Sequence, residues 1–212
     1  MLITILYDNT VYRAGLQADW GFSCLVEMAE KTILFDTGAN GALLLENMKI
    51  LGKDPALVDV VFISHAHFDH TGGLSAFLNV NNQVTLYAPV SFRGVRNAKQ
   101  VIYMDSPTEM FGNVFSTGEL DGMEQAMAVK TKKGLVLIAG CSHPRMDHIL
   151  EAAATFGRVH GIIGGLHGFQ DYALFRDFGL ICPTHCTQHI AEIKRLYPDA
   201  YIQGGAGRVI DI

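Results

Sequence analysis

Strand-length apolar runs recur along this chain, and most stop at Gly, Asp, Asn or Pro: LITIL (2–6), FSCLVEM (22–28), TILFDTG (32–38), DVVFIS (59–64), VTLYAP (84–89), QAMAVKT (125–131), LVLIAG (135–140), VHGIIGG (159–165) and AYIQ (200–203). Runs of this length with such borders read as β-strands. Between them, NGALLLENMKIL (40–51) and CTQHIAEIKRLY (186–197) place apolar residues three and four apart, the spacing of an amphipathic helix. PRMDHILEAAATFG (144–157) predicts another helix, with Pro144 suited to its first turn and Gly157 to its C-terminal cap. The first half opens with strands in succession and the second alternates strand with helix. That order predicts two sheets packed face to face with helices outside, a layered α/β or α+β domain. Residues 90–122, rich in Gly, Pro, Asn and Ser, read as an irregular loop over a site.

At 212 residues the chain is long enough for one well-buried core and short for two, so a single domain over 1–212 is expected. With 49% hydrophobic and 17% charged residues it can offset its ordering entropy by burial. A formal charge of −5 with scattered basic residues offers no footprint for nucleic acid or an anionic membrane, so neither partner is expected. The opening MLITILYDNT lacks the basic stretch and long apolar run of a signal peptide, and no segment approaches a membrane span, so a cytoplasmic location is expected. Cys24, Cys141, Cys182 and Cys186 lack the spacing of a disulfide framework and are expected to be reduced, as core residues, metal ligands or reactive thiols. The sequence leaves the oligomeric state open.

The chemistry concentrates in FISHAHFDHTGGL, Phe62 to Leu74, at the end of a buried run. His65 and His67 alternate, so on an extended backbone both point to one side. Asp69 and His70 follow, where Thr71, Gly72 and Gly73 indicate a turn into a helix. Imidazole and carboxylate are the groups that hold Zn²⁺ or Fe²⁺, and histidines clustered beside a buried strand are costly without partners. Two further segments carry ligand chemistry, AGCSHPRMDH (139–148) after LVLI and CPTHCTQHI (182–190) after GLI. Each sets a histidine between a strand and a helix, which makes His143 and His185 the candidates to complete the site.

SHAHFDHTGG resembles the signature of the metallo-β-lactamase fold superfamily, and TILFDTG resembles the strand and Asp-containing turn that precede it there. The resemblance implies a four-layer αββα sandwich of two mixed β-sheets with a dinuclear metal site at one edge. It implies that His65 and His67 bind the first metal, that Asp69 and His70 bind the second, and that Asp36 supports the metal loop from behind. The GCSH, GGLH and HCT triplets are similar to those of one branch, the metal-dependent hydrolases related to the archaeal dihydropterin ribofuranosylaminobenzene phosphate synthase. Within that resemblance Cys141 stands where members place an aspartate, or in some lactamases a cysteine, and a thiolate would bind a borderline-soft metal well. The alternative for Cys141 is a buried core residue. Glu119 falls where many members carry a histidine on the first metal, and His167 is open between metal donor, pocket lining and turn cap. The chain departs from the branch at Pro144 and Arg145 after GCSH, at Gln188 after HCT, at Trp20 and Gly21 where a His-Gly pair is usual, and in a shorter middle segment.

These readings lead to an expected hydrolase with two divalent metal ions, zinc first and iron, manganese or nickel as alternatives. The metals would lower the pKa of bound water and polarise a carbonyl or phosphoryl oxygen. Asp69 is expected to orient the attacking hydroxide as well as to ligate. Arg145, Gln188 and His167 are candidates for holding an anionic group of a small-molecule substrate: a phosphoester, lactone, thioester or amide. Two other readings stand beside this one, a phosphoribosyl-type synthase of pterin cofactor biosynthesis and a non-catalytic metal-binding sensor.

Overall fold

A computed structural model describes all 212 residues. In chain order it has β1 (Leu2–Tyr7), β2 (Ser23–Glu27), β3 (Thr32–Phe35), α1 (Gly41–Ile50), β4 (Val60–Phe62), α2 (Phe68–Thr71), α3 (Leu74–Val80), β5 (Thr85–Pro89), β6 (Gln100–Met104), β7 (Thr108–Phe111) and β8 (Val114–Ser116). The second half adds β9 (Met127–Thr131), β10 (Gly134–Ala139), α4 (Met146–Ala154), β11 (Val159–Gly165), β12 (Leu180–Thr184), α5 (Ile190–Leu196) and β13 (Val209–Asp211). A seven-stranded sheet runs β13-β1-β2-β3-β4-β5-β6, and a six-stranded sheet runs β12-β11-β10-β9-β8-β7. Both are mixed. β3 to β6 pair parallel in the first sheet and β10 to β12 in the second, while the remaining pairs are antiparallel.

Side-chain alternation divides each central strand between two layers of core. In β10, Val136 and Ile138 enter the core between the sheets, while Leu135, Leu137 and Ala139 face the helices outside. Strand β4 does the same, with Val60 and Phe62 facing inward and Val61 facing outward. The outer face of the first sheet packs under Leu44 and Met48 of α1 and Leu74, Phe77 and Leu78 of α3. That of the second packs under Met146, Ile149 and Ala153 of α4 and Ile193 of α5. The result is the αββα sandwich that the resemblance implies. No helix is long and apolar enough to cross a membrane.

The sequence reading misplaces several pieces. AYIQ (200–203) is not a strand: Tyr201 forms one isolated bridge to Ile181, beyond the edge of the second sheet. The supposed loop 90–122 contains β6, β7 and β8. Unlike β12, an edge that is buried throughout, strands β6, β7 and β13 went unseen because each is a sheet edge with exposed positions. Half of such a strand faces solvent, so its sequence is polar and short, as in TEMF and VID. Helix α5 starts at Ile190 rather than Cys186, which leaves Cys186 to His189 in a loop. Pro144 precedes the N-cap residue Arg145 instead of sitting in the first turn.

Glycine matters most at the junction of α2 and α3. A Cβ on Gly73 would lie 2.2 Å from the carbonyl oxygen of Thr37, and one on Gly72 would lie 2.3 Å from that of Ala39. The loop after β3 therefore lies directly on this junction. It is stitched there by Thr37 N–H and Thr37 Oγ1, both donating to the carbonyl of His70, and by Gly73 N–H donating to Gly38.

Candidate metal centre

The site lies where the parallel strands of both sheets end. His65 and His67 lie in the loop after β4, Asp69 and His70 on the short helix α2, Cys141 and His143 just past β10, His167 past β11, and His185 and Cys186 past β12. Three of these strand ends, and that of β3, turn through a non-glycine residue with positive φ: Ser142 (57°), His167 (45°) and His185 (49°), and Asp36 (51°) after β3. Such left-handed residues gather at functional sites, where surrounding contacts hold them against the local strain. The two sheets are tied together at this end, since Gln125 N–H donates to the carbonyl of Ser64 (2.9 Å) and Gln125 Nε2 to that of Ile63 (2.8 Å).

The donor atoms form overlapping groups, each with all members within 4.8 Å of one another: His65, His67 and His143; His65, His70 and Cys141; Asp69, His70 and His185; and Cys141, His185 and Cys186. The two halves of the chain thus meet here. Hydrogen bonds fix which ring nitrogen points inward. Asp36 Oδ2 accepts the Ser64 hydroxyl at 2.6 Å, so that hydroxyl has no proton left for His65. His65 Nδ1, 2.9 Å from Ser64 Oγ, must therefore carry the hydrogen and donate it, which leaves a lone pair on Nε2. His185 Nδ1 lies 2.9 Å from the Asn9 side-chain oxygen, which only accepts, and the same logic leaves its Nε2 bare. His70 Nδ1 bonds Asp36 Oδ2 at 2.7 Å, and its Nε2 faces Cys141 Sγ at 3.2 Å. Asp36, fully buried, thus supports His65 through Ser64 and His70 directly.

Divalent metal fits this donor set. His65 Nε2 and His185 Nε2 are buried and unpartnered, an arrangement that costs free energy unless something binds them. His185 Nε2 approaches Asp69 Oδ2 at 3.2 Å, but not at a hydrogen-bonding angle. Burial, and then the neighbouring imidazoles, push the pKa of His65 below the ordinary histidine value. The same causes lower His143 to about 4 and also depress His185. These rings stay neutral and keep their lone pairs. His70 goes the other way: burial opposes its charge, but Asp36 beside it holds its pKa up.

Sequence reasoning missed the residue that shapes the loop after β10. Glu124 is fully buried; its Oε1 accepts N–H bonds from Gly140 (3.0 Å), Cys141 (2.9 Å) and Ser142 (3.1 Å), and its Oε2 accepts that of His143 (2.9 Å). Burial pushes its carboxyl up while these bonds pull it down. Asp8 does similar work for the last ligand loop, accepting His185 N–H at 2.7 Å. Burial raises its pKa to about 6. A shared sequence signal exists for Asp8 and Asp36, an acidic residue closing an apolar run; Glu124 has none. Cys186, which the sequence left open between core residue, metal ligand and reactive thiol, lies with Cys141 and His185 in one donor group.

Glu119 does not join the cluster, which corrects that assignment. Its carboxylate accepts the N–H of Ser91 at 2.8 Å, and His143 takes the place beside His65 and His67. His167 is exposed and belongs to none of the donor groups; its ring centroid lies 5.3 Å from that of His143. Both line a cavity of about 400 Å³ with Arg145, Asp147 and Phe169. Arg145 is on that wall but is paired with Asp147, and Gln188 is exposed beside Gly168. Trp20 covers His185 from the other side, ring centroids 5.0 Å apart.

Residues 21–106 match the family model of the metallo-beta-lactamase superfamily. The uncharacterized protein MJ0448 of Methanocaldococcus jannaschii is 26% identical over 259 aligned positions, covering 100% of both chains. From the same organism, 7,8-dihydropterin-6-methyl-4-(beta-D-ribofuranosyl)-aminobenzene-5'-phosphate synthase is 24% identical over 260 positions, covering 90% of this chain and 88% of its own. Among solved structures, that of Tm1679, a metal-dependent hydrolase of the beta-lactamase superfamily, superposes with a TM-score of 0.78 at 27% identity, covering 100% of this chain and 99% of that one.

Proposed function

We propose that this chain is a dinuclear metal-dependent hydrolase of the metallo-β-lactamase superfamily acting on a small molecule, a reading supported by the family-model match over residues 21–106 and by the likeness to Tm1679. One observation carries the reading: imidazoles from both halves of the chain fall into overlapping donor groups with Asp69 and Cys141 among them, and His65 Nε2 and His185 Nε2 are buried there without a partner. In this reading His65, His67 and His143 hold one ion, and Asp69, His70 and His185 hold the other. Zinc suits the mixture of imidazole, carboxylate and thiol best. Divalent ions bound there supply a water-derived nucleophile at neutral pH and polarise the substrate oxygen under attack.

The chain's own residues do the rest. Asp69 Oδ2, 3.2 Å from His185 Nε2 and 3.8 Å from His70 Nε2, sits between the ring systems, where a carboxylate can accept the proton of an attacking water and hold it in line. Asp36, Ser64 and Asn9 lock the ring orientations, so the donors are in place before substrate arrives. The cavity beside His143 is the size of a small ligand, and His167 and Arg145 put nitrogen donors for an anionic group on its wall, beside the carboxylates of Asp147 and Asp171. Because Asp147 already engages Arg145, His167 is the better placed of the two.

The test is hydrolysis of generic phosphodiester, lactone, thioester and amide substrates by the metal-loaded protein. The reading expects turnover of at least one class, abolished by a chelator and restored by zinc. If a fully metal-loaded protein turns over none of them, the hydrolase reading is wrong. The likeness to a synthase over 90% of the chain favours a second reading, synthesis of a related compound. Product formation without net hydrolysis would select it.

A further inference from the structure

The four cysteines divide into two kinds. Cys24 and Cys182 pack in the apolar core between the sheets, as small hydrophobic residues do. Cys141 and Cys186 belong to no hydrophobic cluster and lie against the histidines instead. Their sulfur atoms are 3.2 Å apart, and both thiols are free. Cys141 Sγ is also 3.2 Å from His70 Nε2, and the Cys141, Cys186 and His185 donor atoms all lie within 4.8 Å of one another.

The backbone is arranged to allow this. Cys141 follows β10 under the four-bond clamp of Glu124, and Cys186 follows the left-handed turn at His185. A Cβ at Gly165, on the strand between them, would lie 2.7 Å from Cys186 Sγ and 3.2 Å from Cys141 Cα. That Cβ would also lie 2.4 Å from the Gly140 carbonyl oxygen, so glycine there serves the close backbone approach as well as the room for the sulfur. Beside the pair, His185 Nε2 is buried and unpartnered, although its other ring nitrogen is firmly held by Asn9.

We infer that Cys186 is a metal donor together with Cys141, so that the ion on the His185 side is held through two thiolates as well as imidazole. This rests on the proposed metal centre and extends it, because an Asp-His-His position becomes one with sulfur. Binding replaces two S–H bonds with two sulfur-metal bonds and releases two protons to solvent. Thiolate donors favour borderline and soft divalent ions, so zinc, cobalt and cadmium should outcompete magnesium and manganese there.

Cobalt(II) is the probe, because thiolate ligands give it an intense near-ultraviolet charge-transfer band that imidazole and carboxylate do not. The cobalt-loaded wild type should show the band. Cys141→Ser and Cys186→Ser should each remove roughly half of it and the double variant all of it, if the two sulfurs contribute equally. An unchanged band in Cys186→Ser overturns the inference while leaving the metal centre intact. Failure of the wild type to bind cobalt at all, by elemental analysis, overturns both. A measurement on wild type alone covers the case of a variant that does not fold. Bound cobalt should protect Cys141 and Cys186 from alkylation by iodoacetamide, read by peptide mass spectrometry, whereas equal labelling of Cys186 with and without metal contradicts the assignment.

Discussion

His65, His70 and His185 each commit Nδ1 to a partner and present Nε2, so the orientation of these candidate ligands is decided one residue behind them. Ser64→Ala removes the acceptor for His65 and one of the bonds to Asp36. We expect it to weaken metal binding by roughly 10–100-fold with the fold retained, measured by competition with a chromophoric chelator. Unchanged affinity would show that His65 is oriented by packing alone. Glu124→Ala leaves four backbone N–H groups without their acceptor, and should destabilise the protein by about 3 kcal/mol or more in urea unfolding. A loss below about 1 kcal/mol would mean that water replaces the carboxylate.

His143 makes a prediction about pH. Its folded value of about 4 lies below the ordinary 6.5. Above 6.5 the ring is neutral whether the chain is folded or not, and its contribution is fully present. As pH falls from about 6.5 to about 4 the unfolded chain takes up a proton that the folded one refuses, so stability is lost. The metal-free protein should therefore lose Tm across this window with a steeper slope than His143→Gln, and equal slopes would contradict the assigned shift. At this scale the sequence spoke clearly where ligands cluster, as in HAHFDH. It was silent on Glu124, a single carboxylate that acts on backbone N–H groups, which leave no trace in side-chain spacing.

One element pattern recurs: an apolar strand buried on both faces, a sharp turn carrying a ligand, and then helix. It occurs after β4, after β10 and after β12, and it was legible because doubly buried strands are continuous apolar runs. The exposed edge strands β6, β7 and β13 were illegible for the converse reason, and the start of α5 was misjudged because CTQH continues the helical spacing while its residues serve the site loop. The contact of α2 and α3 with the loop after β3 tests how tightly elements set ligands. Gly73→Ala drives a methyl group against the Thr37 carbonyl and must shift one element. It should cost about 1–3 kcal/mol in denaturant unfolding and also weaken metal binding, since Asp69 and His70 ride on the displaced helix. Loss of stability with unaltered metal affinity would show that α2 moves independently of its neighbours.

In the whole molecule the site exists only because the second sheet closes over the first. His65, His67, Asp69 and His70 come from one half, and Cys141, His143, His185 and Cys186 arrive from beyond residue 140. The layered architecture was legible from the order of strands and helices. Which donors would meet was less so: Glu119, on the loop before β9, turns away to Ser91, and only the folded chain shows it. The measurement that bears most directly on this account is metal content per chain by elemental analysis, comparing wild type with His143→Ala and His185→Ala at neutral pH. The account predicts two equivalents in wild type and a loss of about one in each variant, from different positions. Full metal content in both variants, or none in wild type, would contradict it.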